Sequence, residues 1–77
     1  MTVKELRDIT GLSQRKFAEK YKFTLRQVQA WEQGCRGTHR SILYLLERAV
    51  QEDYPDEYAV KVGEKEWLEF LEKTQNT

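Results

Sequence analysis

In the stretch TLRQVQAWEQG, residues 24 to 34, four long polar side chains (Arg26, Gln27, Gln29 and Gln33) share a short segment with Leu25, Val28, Ala30 and Trp31. Guanidinium and carboxamide groups can bond two edge atoms of one base at once. Arginine meets the O6/N7 edge of guanine, glutamine the N6/N7 edge of adenine, and leucine or alanine touches a thymine methyl. The residues that catalysis or metal binding would need do not assemble in the same way. His39 is the single histidine and Cys35 the single cysteine, so neither ligand spacing nor a nucleophile–base pair is present. These residues predict a binding protein with no cofactor and no metal, rather than an enzyme.

Helical geometry says how such a segment must sit. Val28 and Trp31 are three apart and share a face. With 3.6 residues per turn, turning them inward sends Arg26, Gln29 and Ala30 outward, with Leu25 and Gln33 at the margins. Thr24 with Gln27 three residues later has capping-box spacing, and Gly34 stops the helix. Before it, Ser13 is a candidate N-cap for a helix from Gln14 that carries Phe17, Ala18 and Tyr21 on one face. The connection around Lys22, Phe23 and Thr24 is so short that the two helices must cross steeply, and the small Ala18 permits close approach.

Two more helices flank this pair. Thr2 and Glu5 form another capping box ahead of Val3, Leu6 and Ile9, with Gly11 as the stop. Ile42, Leu45, Leu46, Ala49 and Val50 then recur as an amphipathic face that ends before Pro55. Gly11, Gly34, Gly37, Pro55 and Gly63 predict short pieces throughout. Residues 58–62 fit either a helical turn or a short extended piece. Residues 64–73 are expected to be helical, with Trp67, Leu68 and Leu71 on one stripe and Phe70 off it. The tail from Thr74 is expected to be disordered. The class is all-α, with a DNA-binding unit at 1–53 and a helical extension at 54–77 that caps the core or joins two copies.

Length, charge and cysteine usage narrow the class further. Seventy-seven residues hold one small core, to which two Trp, four Tyr and three Phe contribute most of the large apolar area. Net charge is zero, but it is unevenly spread. From Ser13 to Arg40 seven basic residues face two acidic ones, a net of +5; from Ala49 onward three basic residues face eight acidic ones, a net of −5. That asymmetry suits one end meeting a polyanion, and equally a mixed solvated surface. A lone cysteine and the absence of a long apolar run predict a cytoplasmic chain without a leader or membrane span.

The segment LSQRKFAEKYKFTLRQVQAWEQG resembles the helix-turn-helix of the phage-repressor class, the Xre/Cro-like regulators. Ser13, Gln14, Ala18, Phe23, Thr24, Val28, Trp31, Glu32 and Gly34 match the pattern, and the likeness spans residues 3 to 51. It implies a compact five-helix phage-repressor-like domain. Two positions depart from the pattern. Lys22 stands where the turn usually has glycine, and must turn left-handed at a cost of roughly 1 kcal/mol or remodel the turn. The proline common after the closing glycine is replaced by Gly37, Thr38 and His39.

The resemblance also implies roles. Leu25, Arg26, Gln29 and Ala30 take base-facing positions. Gln14 bonds a phosphate and braces the recognition helix, while Arg15, Thr24, Gln27, Gln33, Arg36 and Arg40 meet the backbone, Arg40 with reach into a minor groove. Glu32, a carboxylate beside phosphates, is expected to bond within the chain. Trp67, Phe70 and Leu71, with Leu43 and Tyr44, are the expected interface of a homodimer. The implied function is a sequence-specific transcriptional regulator, an autorepressor on a palindromic operator of a phage, mobile-element or toxin–antitoxin operon. The alternative is a protein-interaction or inhibitor module that keeps the scaffold.

Overall fold

The computed structural model describes residues 1–34 and 37–75, and every regular element among them is an α-helix. In chain order these are α1 (Val3–Thr10), α2 (Gln14–Tyr21), α3 (Leu25–Gln33), α4 (Arg40–Asp53) and α5 (Pro55–Gln75). Local chemistry sets the first three boundaries. At α1 the Glu5 N–H donates to Thr2 Oγ1 at 3.2 Å while the Thr2 N–H donates to Glu5 Oε1 at 3.1 Å. At α3 the Gln27 N–H donates to Thr24 Oγ1 at 3.1 Å and the Thr24 N–H to Gln27 Oε1 at 2.9 Å. Ser13 caps α2 by accepting from the Lys16 N–H. Each box satisfies two backbone donors that a helix start would otherwise leave open.

Gly11 and Gly34 close α1 and α3 in the left-handed region, at φ 69° and 75°. Lys22 closes α2 the same way, at φ 64° and ψ 35°. A side chain is therefore held where glycine is favoured, and the tight turn into α3 is kept rather than remodelled.

Val3, Leu6 and Ile9 of α1, Phe17 and Ala18 of α2, Val28 of α3, and Leu46 and Val50 of α4 form one buried cluster. Tyr21, Phe23, Trp31, Leu43, Tyr54 and Tyr58 pack around it. Burying each large aliphatic or aromatic side chain contributes about 1.5–3 kcal/mol, so Phe17, Leu6, Val28 and Val50 carry much of the stability. Thr10 is buried without cost to its hydroxyl, which donates to the Arg7 carbonyl at 2.7 Å and accepts from the Leu12 N–H at 3.1 Å.

The inward stripe of α4 differs from the expected one. Leu45 is 64% exposed, while Leu43 is half-buried and packs on the core. The helix turns its 43–46–50 edge inward, where Leu46 and Val50 join the buried cluster and Leu43 packs half-buried against it.

The end of the chain departs most from expectation. Residues 55–75 form a single helix through Gly63, so the anticipated break there, the extended option at 58–62 and a disordered start to the tail at Thr74 all fail. Pro55 explains the first part. A proline ends the preceding helix yet suits the first position of the next, where no N–H is needed. The Tyr54 N–H closes α4 on the Val50 carbonyl at 2.7 Å, and the Tyr58 N–H donates to the Tyr54 carbonyl at 2.9 Å. Docking then carries the helix past Gly63. Tyr58 donates to Glu47 of α4 at 2.7 Å, and Lys65 pairs with Glu5 of α1 at 2.6 Å. No helix among the described residues is long and apolar enough to cross a membrane.

Candidate nucleic-acid interface

α3 is held from three directions. Val28 is fully buried beneath it, and Trp31 meets Phe23 edge-on with ring centroids 5.0 Å apart. The third hold is ionic. Arg7 of α1 grips Glu32 of α3 with both arms, Nε to Oε2 at 2.8 Å and Nη2 to Oε1 at 2.9 Å. The same guanidinium donates through Nη1 to the Leu12 carbonyl at 3.1 Å, and Gln14 Nε2 reaches Glu32 Oε1 at 3.4 Å. Side-chain exposure is 19% for Arg7 and 6% for Glu32, so this fork sits largely out of water. The hydrogen bond from Arg7 holds the Glu32 carboxyl below its usual value against the opposing effect of burial, and Glu32 raises Arg7 in return.

Glu32 therefore bonds within the chain, as expected of a carboxylate that phosphates would repel. Gln14 braces α3 through it. Arg7 was not anticipated as the partner. It lies 25 residues away, and no local spacing singles it out from Lys4, the other cation of α1. The one available signal was indirect: a carboxylate on a helix whose only cation is Arg26 needs a partner from elsewhere in the fold.

With that side fixed, Arg26 lies exposed and Leu25, Gln29 and Ala30 are half-buried on the remaining flank. Arg26 and Ala30 come together with Thr24, Gln27 and Trp31 along one wall of a cleft of about 690 Å³, whose other wall is Gly37, His39 and Ile42. Leu25 and Gln29 lie outside that lining. The side-chain oxygens of Thr24 and Gln27 are both used in the capping box, which leaves their O–H and N–H groups to donate outward.

The remaining polar candidates sit in different surroundings. Arg15 and Gln33 are exposed. Arg40 is exposed at the start of α4, where it lines a second, shallow cleft of about 550 Å³ with His39, Ser41, Tyr44 and Leu45. Lys20 is more committed, with its ammonium 3.8 Å from Asp53 and over the rings of Tyr21 and Tyr54. Tyr21 donates to the same Asp53 at 3.0 Å, which, after burial, helps push its phenol well above the ordinary value. Arg36 and Cys35 lie outside the described residues. His39 has a role that sequence reading did not assign: its Nδ1 accepts from the Ser41 N–H at 3.2 Å and caps α4. Among the described residues no group of three His, Cys, Asp or Glu side chains could hold a metal ion.

The expected dimer residues divide. Trp67 and Phe70 stack 5.6 Å apart at 20°, and are 59% and 57% exposed. The pair therefore shares a face, although Phe70 was expected off the stripe. Tyr44 is 59% exposed and takes a hydrogen bond from Arg48 at 3.3 Å. Leu71 is half-buried. Comparison of the chain with protein-family models, with curated proteins and with solved structures returns no match.

Proposed function

We propose that the chain is a sequence-specific DNA-binding regulator with a phage-repressor-like helix-turn-helix formed by α2 and α3. In this reading α3 enters the major groove, and Arg26, Gln29, Leu25 and Ala30 face the bases. Arg15, Gln33 and Arg40 meet the backbone together with the outward donors of Thr24 and Gln27. The observation that carries the reading is the one-sided locking of α3. Val28 and the Arg7–Glu32 fork hold its inner side, with Trp31 half-buried against the core, while the Arg26 guanidinium is exposed on the other. A rigid element that presents bidentate donors is what reading base edges requires, because a loose helix would lose the geometry that separates one base from another.

Two copies on a palindrome, with half-sites about one helical turn apart, supply the specificity that one short helix lacks. The role is then repression by occupancy of a promoter, its own among them, in the cytoplasm and without catalysis or cofactor. Phage, mobile-element and toxin–antitoxin operons are the settings this implies. The exposed Trp67–Phe70 pair favours one other reading, a module that docks on and inhibits another protein.

A gel-shift series on the promoter of its own operon tests the choice, with a scrambled duplex as control and several salt concentrations. A specific shift that weakens steeply with salt supports the DNA reading, since bound phosphates release counterions. No shift on any duplex, with a second protein co-purifying, supports the other.

A further inference from the structure

We propose that the outward face of α5 pairs antiparallel with the same face of a second copy, a partnership that rests on the homodimer in the reading above. Tyr58, Lys61, Val62 and Lys65 are the half-buried residues of its docked portion. At 3.6 residues per turn the side opposite to them carries Val60, Gly63, Trp67 and Phe70. Val60, Trp67 and Phe70 are 63%, 59% and 57% exposed, and Gly63 is exposed as well. Their spacing of three, four and three residues is that of a seam between two helices.

Gly63 points to what covers that seam. It lies inside a helix, where glycine is unfavourable, and a Cβ at this position would meet nothing within 4 Å. No contact in its own chain calls for glycine. A second helix backbone passing close to the seam does.

Charge selects the second copy and its direction. In an antiparallel pair centred on the Trp67–Phe70 stack, Trp67 of each copy lies against Phe70 of the other, Gly63 against the last turn of the partner's α5, and Val60 beyond the end of that helix. On one flank Glu66 then comes opposite Lys73 of the partner, twice by symmetry. Among the described residues neither forms an ion pair. On the other flank Glu64 falls near the partner's Leu71, so no like charges oppose. A parallel pair would not bring Glu66 and Lys73 together.

Sedimentation of the full chain without DNA tests this, between roughly 5 and 500 μM, where a short helix pair dissociates. The wild type is expected to pass from monomer to dimer. Gly63→Leu should weaken the dimer at least about tenfold while raising helix content, because leucine favours an isolated helix. Glu66→Lys should weaken it as well, and adding Lys73→Glu should restore it. A wild type that stays monomeric throughout, or a Gly63→Leu chain of unchanged mass, overturns the pairing. A double variant no better than Glu66→Lys alone overturns the antiparallel register. A dimer that ignores every duplex would sink the operator reading and leave the pairing standing.

Discussion

α3 and the far half of α5 both bring large side chains to the surface, but they are held in opposite ways. α3 is gripped through its middle and last turn, by the buried Val28, the half-buried Trp31 and the Arg7 fork on Glu32. α5 runs for twenty-one residues, and Lys65 on Glu5 is its last ionic contact with the body among the described residues. Beyond that point Trp67, Leu68 and Phe70 are each more than half exposed. The polar flank of α3 belongs to a rigid surface that suits reading a rigid ligand. The apolar end of α5 is the surface that the proposed pairing of two copies would complete. A helix that exposes charge can stand finished alone, whereas one that exposes two stacked aromatic rings leaves a hydrophobic gain unrealised.

The largest break in this contrast comes from Glu32→Ala. It leaves the mostly buried Arg7 guanidinium without its carboxylate and should cost about 3 kcal/mol, since removing one partner of a buried pair strands the other. Urea unfolding at neutral pH measures it, and a loss under about 0.5 kcal/mol would mean that the fork does not hold α3. Arg26→Ala should leave unfolding unchanged while costing about 1–3 kcal/mol on the preferred duplex and little on random DNA. Equal weakening on both would make Arg26 a phosphate contact.

Smaller effects sharpen the α5 side. The hydrogen bond from Lys65 is the main reason that Glu5 is held down at about 2, against an ordinary 4.5. A depressed carboxyl stabilises the fold above its ordinary value, and that contribution fades as pH falls from about 4.5 towards 2. Glu5→Gln should therefore lower stability at pH 7 by less than about 1 kcal/mol, as befits a pair with one half-exposed partner, and flatten its fall in acid. An unchanged pH profile would remove this tie between α1 and α5. The smallest change is expected for Trp67→Ala, within about 0.5 kcal/mol of wild type for the monomer in dilute solution. A loss of several kcal/mol there would mean that the indole belongs to the core.

Much of this was legible from local chemistry. The boxes at Thr2–Glu5 and Thr24–Gln27, the Ser13 cap, the glycine stops and the inward pair Val28 and Trp31 all act over one turn of helix, so their spacing is enough to read them. The left-handed Lys22 follows from the shortness of the turn it closes. Other features were misread where the deciding neighbour lies far along the chain. Gly63 signals a break by its own propensity, and docking of Tyr58 and Lys65 on α4 and α1 carries the helix through it. Leu43 and Leu45 are both apolar residues of one amphipathic helix, and only tertiary packing turns Leu43 towards the core cluster while leaving Leu45 exposed.

Residue order therefore settles where the first three helices start, where the first four stop and which side of α3 turns inward, because those interactions close within a few residues. Tertiary contact assigns Arg7 to Glu32, carries α5 to Gln75 and leaves the Trp67–Phe70 stack facing out. These outcomes depend on distances between segments that the chain order does not encode locally, and they exist only once the core has brought the segments together.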